Sequence, residues 1–184
     1  MVEHRVDQPI SLYAATKRAD ELITHSYAKM HGLSATGLRF FTAYGPWGRP
    51  DMAAYIFAEA IQAGRPIRVF NRGDMRRDFT YIDDIVAGVL AAIERKPLPN
   101  ARGVRHALYN LGSGRMEDLT RFITLLEDAI GRRAVLVEEP MHPGDVEATF
   151  ADIAASRRDL GFDPKTPIEI GVPRFVEWFR AYRS

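Results

Sequence analysis

Ser11-Leu12-Tyr13-Ala14-Ala15-Thr16-Lys17 opens the stretch that decides the fold, and Ala35-Thr36-Gly37-Leu38-Arg39-Phe40-Phe41 closes it. Between residues 11 and 30 no Pro or Gly interrupts a helical pattern, and His31-Gly32 ends it, since Gly accepts the left-handed cap. Residues 35 to 41 then read as a buried strand. A helix fed straight into an apolar strand is the repeating unit of an α/β fold with partly parallel pairing.

The alternation continues outward from there. Gly45-Pro46-Trp47-Gly48-Arg49-Pro50 breaks both regular structures and must be a loop. A helix is predicted over 53 to 63 and stopped by Gly64, followed by a strand over 67 to 70 and a turn over 71 to 75. A short extended piece over 79 to 82 precedes a helix that Asp83 is placed to cap and that runs to about residue 94. A strand over 107 to 111 enters Gly112-Ser113-Gly114, then a helix over about 117 to 130, a strand over 134 to 137, a Pro-rich loop over 140 to 144 and a last helix over 168 to 182. Only 35 to 41 and 107 to 111 read as strands of a parallel sheet, and two strands make a poor sheet. The first half of the fold looks absent.

Composition narrows the function. The chain has 184 residues, 46% hydrophobic and 27% charged, a globular balance rather than a disordered one. With 25 basic and 24 acidic residues the net charge is +1, so no basic field invites nucleic acid. No cysteine is present, which excludes disulfides, cysteine-zinc sites and thiol catalysis. The histidines His4, His25, His31, His106 and His142 lack metal-ligand spacing, so no metal is expected. No apolar run reaches membrane-spanning length and the first five residues do not read as a signal peptide, so a cytoplasmic protein away from membranes is the expectation.

Tyr13 and Lys17 stand four apart and project from one helix face. An ammonium beside a phenol favours the phenolate, a usable base for a hydroxyl proton. Taken alone, this spacing describes a solvated helix face, and the surrounding segments decide between the two readings. Leu38-Arg39-Phe40-Phe41-Thr42-Ala43-Tyr44-Gly45-Pro46, Arg77-Asp78-Phe79-Thr80-Tyr81-Ile82-Asp83-Asp84 and Tyr109-Asn110-Leu111-Gly112-Ser113-Gly114 follow in order.

Together with the Tyr13 helix these four segments resemble the extended short-chain dehydrogenase/reductases, the NAD-dependent epimerase/dehydratase type, over nearly the whole chain. Within that group the stretch from Thr42 to Met52 is similar to the UDP-glucuronate 4-epimerases. The resemblance implies an α/β fold: the C-terminal part of an NAD-binding Rossmann-type fold plus a small substrate lobe, with the N-terminal βα units missing. Residues 1 to 50 would complete the Rossmann domain. Residues 51 to 184 would form mostly the substrate lobe, with the strand near 107 to 111 returning to the Rossmann sheet.

It also implies a reaction. Tyr13 takes the proton from the C4 hydroxyl of UDP-glucuronate as hydride leaves for NAD, and Lys17 holds the nicotinamide ribose. The 4-keto sugar turns over and hydride returns to its other face, giving UDP-galacturonate. Phe41 and Ala43 would lie beside the cofactor. For the substrate, Arg49 suits a carboxylate bidentately with Thr42 assisting, and Met52 lies in the same loop. Firm carboxylate binding would oppose decarboxylation of the 4-keto uronate. Arg77 suits the UDP end, Asp145 in Pro143-Gly144-Asp145 a ribose hydroxyl or Arg77 itself, and Val69 with Phe70 the uracil. The competing reading of Arg49 is a loop arginine paired with Asp51, that of Arg77 a surface partner of Asp74 or Asp78, and that of Val69 core packing. His142 is left without a role.

Three further expectations belong here. Gly112-Ser113-Gly114 resembles a phosphate loop but lacks the third glycine of the dinucleotide fingerprint, and reads as a turn. Asp83-Asp84 reads as a helix cap rather than a metal pair, and Trp178, Phe179 and Tyr182 as core. With no fingerprint elsewhere the NAD site is incomplete, so this chain alone is expected to bind NAD weakly and to be inactive. Another epimerase, a dehydratase or decarboxylase of nucleotide sugars, and an inactive UDP-sugar-binding fragment remain as alternatives. A homodimer through the Tyr13 helix is the expected assembly.

Overall fold

The computed structural model describes residues 8–141 and 145–183. In chain order its elements are α1 (Leu12–His31), β1 (Ala35–Phe40), β2 (Thr42–Tyr44), α2 (Ala53–Ala63), β3 (Pro66–Phe70), β4 (Arg76–Arg77), β5 (Phe79–Tyr81), α3 (Ile82–Glu94), β6 (His106–Leu111), β7 (Glu117–Asp118), α4 (Leu119–Ile130), β8 (Val135–Glu139), α5 (Ala154–Leu160) and α6 (Ile168–Arg183). The caps explain why the long helices fall where the sequence puts them. Ser11 accepts the Ala14 N–H at 3.2 Å, and Gly32 at φ 64° returns its own N–H to the Ala28 carbonyl.

β1 and β6 run parallel, with Ala35 opposite His106 and Phe40 opposite Leu111. Two more parallel pairs, β2 with β5 and β3 with β8, carry the chain into the second half of the molecule. Their hydrophobic residues form two clusters. One gathers Tyr44, Phe57, Ile61, Ile67, Phe79, Phe122, Leu126, Val172 and Phe175, with the Phe79 and Phe122 rings stacked 4.1 Å apart. The other packs Ile85, Leu111, Ala151, Leu160 and Phe162 against Leu38, Phe41 and Ala43, so α3 and α5 cover the β1–β6 pair. Among the described residues the outer edge of β1 carries no strand. No described helix is long and apolar enough to cross a membrane.

Several local expectations are corrected. Asp83 does not cap α3: the helix begins at Ile82, Tyr81 holds the cap position, and no side chain bonds there. Asp83 and Asp84 instead occupy the first turn, where negative charge suits the helix dipole. Asp84 accepts the backbone N–H groups of Lys165 and Thr166 at 3.2 and 2.9 Å, tying the approach to α6 onto α3. The helix expected from residue 117 starts at Leu119, because Glu117 and Asp118 pair antiparallel with Arg77 and Arg76. Phe179 is core and Trp178 packs half-buried against it, whereas Tyr182 is exposed.

Candidate active site

α1 delivers Tyr13 and Lys17 to one face, with the Lys17 Nζ 5.7 Å from the centre of the Tyr13 ring. Both line a cavity of about 540 Å³ together with Pro9, Ile10, Phe41 and Phe150. The ring is 72% exposed, so its hydroxyl is open to a ligand rather than committed to the core. Lys17 pairs with Asp20 at 3.2 Å, a solvent-facing contact that a ligand can displace cheaply. Beneath them Glu21 accepts from Arg39 at 2.6 and 2.9 Å and from Arg18 at 2.8 Å. The Arg39 hydrogen bond, supported by Arg18 and only partly offset by burial, holds the Glu21 carboxyl below its ordinary range. That network fixes α1 to β1 and hence the height of Tyr13 above the sheet.

Phe41 also lines a second cavity of about 390 Å³ with Ala43, Trp47, Arg49 and Met52. A third, about 510 Å³, is lined by Thr42, Asp51, Phe70, Arg77 and Asp145. β2 explains this division: its alternating side chains send Thr42 to one side and Ala43 to the other. Arg77 donates to Asp145 at 2.9 Å and to the carbonyls of Arg76 and Glu147, which orients its guanidinium at the cavity wall. Val69 stands apart from the residues expected on the substrate: it is 2% exposed within the core, while its neighbour Phe70 lines the cavity. His142, Pro143 and Gly144 lie outside the described residues, as do the first five residues weighed as a signal peptide.

Arg49 and Asp51 are joined as a two-pronged pair, Nε to Oδ1 at 3.0 Å and Nη2 to Oδ2 at 2.6 Å. The sequence reading ranked this pairing second; the structure contains it. Asp51's hydrogen bond and charge push the guanidinium up, and the Tyr13 phenol adds a smaller push of the same sign.

Asp78 carries a role that sequence reasoning missed. It is fully buried and accepts from Ser113 N at 2.6 Å, Gly114 N at 3.0 Å, Ala151 N at 3.0 Å and the Thr80 hydroxyl at 3.0 Å. The glycine turn after β6 thus cradles an anion, as a phosphate loop does, but the anion is the protein's own carboxylate. A side chain at Gly112 would collide with Ala151 and press on Asp78, which accounts for glycine there. The glycine-serine-glycine signal was visible in the sequence; its occupant was not, because Asp78 lies far back in the chain. Among the described residues no three metal-ligating side chains gather.

Residues 2–112 match the sequence model of the NAD dependent epimerase/dehydratase family. The chain is 44% identical to a probable UDP-glucuronate 4-epimerase of Rhizobium meliloti, covering 95% of this chain and 55% of that protein. It is also 44% identical to UDP-glucuronate 4-epimerase 5 of Arabidopsis thaliana, over 97% of this chain and 43% of that protein. The crystal structure of the Bacillus cereus UDP-glucuronic acid 4-epimerase with UDP-glucuronic acid and NAD superposes at a TM-score of 0.88 and 29% identity, covering 99% of this chain and 56% of that one. The fold matches the C-terminal half of such Rossmann-type epimerases. The chain spans about half the length of these relatives.

Proposed function

The chain belongs to the NAD dependent epimerase/dehydratase family, and on that footing we propose that it carries the catalytic pair and the sugar-nucleotide lobe of a UDP-glucuronate 4-epimerase. The observation that carries this is spatial: Tyr13 and Lys17 open on a cavity that shares Phe41 with the Arg49 and Met52 cavity. Thr42, Arg77 and Asp145 line the adjoining one. A base, a carboxylate-binding cation and a diphosphate-binding cation are what a UDP-uronic acid requires. We assign residues 1 to 50 to the end of the Rossmann domain and most of the remainder to the substrate lobe, to which β6 does not belong.

The fit to NAD is partial. Tyr13, Lys17, Phe41 and Ala43 would hold the nicotinamide end, since the first three wall one cavity and Ala43 the next. For the pyrophosphate, the Ser113 and Gly114 amides of the glycine turn after β6 are already taken by Asp78. Bound NAD would supply the hydride acceptor and donor for the C4 carbon. The chain's own residues do the rest. Tyr13 takes and returns the C4 hydroxyl proton, with Lys17 beside it in the same cavity. Arg49 holds the uronate carboxylate, which keeps it from leaving while C4 is a ketone; Thr42, expected to assist it, lines the neighbouring cavity with Asp51 and Arg77 instead. Arg77, oriented by Asp145, binds the UDP end. The exposed Leu22, Ile23, Tyr27 and Met30 on α1 support a homodimer through that helix.

The test is conversion of UDP-glucuronate to UDP-galacturonate with added NAD, by this chain alone and by this chain fused behind the glycine-rich half of a related epimerase. Activity of the fusion only is expected. Activity of the chain alone would refute the missing pyrophosphate site, and inactivity of both would remove the epimerase reading. In the active fusion Arg49→Ala is expected to release a pentose product; unchanged product would free Arg49 from guarding the carboxylate.

A further inference from the structure

Arg49 reaches the proposed uronate site with its guanidinium already taken. Asp51 grips the same two nitrogens, Nε and Nη2, that a uronate carboxylate would use in a fork-to-fork pair. The two side chains are 74% and 66% exposed, so neither is held in place by packing, and the pair can be opened from solvent. They also face different cavities: Arg49 lines the one with Ala43 and Met52, Asp51 the one with Thr42, Arg77 and Asp145. The pair thus spans the ridge between the sugar end and the nucleotide end. It sits in a loop whose course is fixed independently of the pair. Gly48 N bonds to the Gly45 carbonyl at 3.2 Å, Met52 N to the Arg49 carbonyl at 3.1 Å, and the Trp47 ring rests on Trp178 and Tyr182 of α6. Breaking the pair therefore frees a guanidinium without dismantling the loop.

We propose that Asp51 is an internal stand-in for the substrate carboxylate, a specificity-determining residue that occupies Arg49 until a uronate displaces it. This rests on the reading of the site as a UDP-uronate site. Displacement is an exchange of one carboxylate for another on the same fork, so a UDP-uronate recovers what Arg49 gives up. A neutral UDP-hexose has nothing to offer the guanidinium and leaves the pair closed. Asp51 also repels the incoming uronate, which weakens its binding while leaving that of a neutral sugar unchanged. Removing the Asp51 charge should therefore strengthen the uronate selectively.

The experiment is calorimetric titration of the 184-residue chain and its Asp51→Asn and Asp51→Ala variants with UDP-glucuronate and UDP-glucose. The expected result is a gain in UDP-glucuronate affinity relative to UDP-glucose of about twofold to fivefold in both variants, the range that an exposed ion pair spans. Equal changes for the two ligands would mean that Asp51 shapes the loop or sets the local charge, and would overturn the proposal. So would weaker UDP-glucuronate binding in both variants, since Asp51 would then be helping the ligand. Binding of neither ligand by the parent chain would instead remove the UDP-sugar site itself, and the proposal with it.

Discussion

Replacing Asp78 by alanine tests whether one buried carboxylate holds the two halves of the site together. Its oxygens satisfy the backbone N–H groups of Ser113, Gly114 and Ala151 and the hydroxyl of Thr80, in a place without solvent. A buried donor left without a partner costs about 1–3 kcal/mol. Taking about 1 kcal/mol for each of the three amides and the hydroxyl gives a loss of about 4 kcal/mol for Asp78→Ala. Asparagine keeps one acceptor oxygen, which can serve either the Ser113 and Thr80 side or the Gly114 and Ala151 side. It should cost about half as much, about 2 kcal/mol. At this chain length about 4 kcal/mol corresponds to a midpoint lowered by roughly 8–16 °C. Thermal and urea unfolding of the three proteins at neutral pH should give the order parent, Asn, Ala. Variants that both unfold within about 1 kcal/mol of the parent would refute the reasoning, because the amides would then have found other partners.

Two further predictions concern stability. The Tyr44 hydroxyl is buried with no hydrogen-bond partner among the described residues, and burial pushes the phenol far up from its ordinary range. Tyr44→Phe should therefore be neutral or stabilising by up to about 1 kcal/mol, and a loss above about 1 kcal/mol would show that the hydroxyl is bonded. His106 is held below the ordinary imidazole value by burial and then by the neighbouring His25, whose Nδ1 lies 3.4 Å from its own. The unfolded chain then binds the proton first, so this histidine costs no stability above about pH 6.5 and lowers it as pH falls below that. His106→Leu should flatten the pH dependence of unfolding between about 7.5 and 5; an unaltered slope would acquit His106.

The sequence made α1, α2 and β1 legible because their ends carry local signals: Ser11, Gly32 and Gly64 occupy cap positions. It missed α5, a seven-residue helix with no side-chain cap and two arginines, Arg157 and Arg158, in its last turn. The three-residue β2 and β5 went unrecognised as partners because so short a pair is defined by its register and not by either segment alone. Site residues fared by the same rule. Tyr13 and Lys17 share a helix face, which spacing reveals. Asp78 acts on residues more than thirty positions away, which spacing cannot reveal. Arg49 and Asp51 are neighbours in sequence, yet choosing between a pair and a ligand-binding arginine depends on side-chain geometry.

The central claim is that Tyr13 is the base of a C4 epimerisation, and one rate tests it. The fusion of this chain to a glycine-rich half is compared with its Tyr13→Phe variant for UDP-galacturonate formation, with UDP-glucuronate affinity measured alongside. The account predicts a rate lower by about 10²–10⁴, the usual contribution of a positioned base, at unchanged affinity. A phenylalanine variant within a few-fold of the parent rate would contradict it and move the chemistry to another residue.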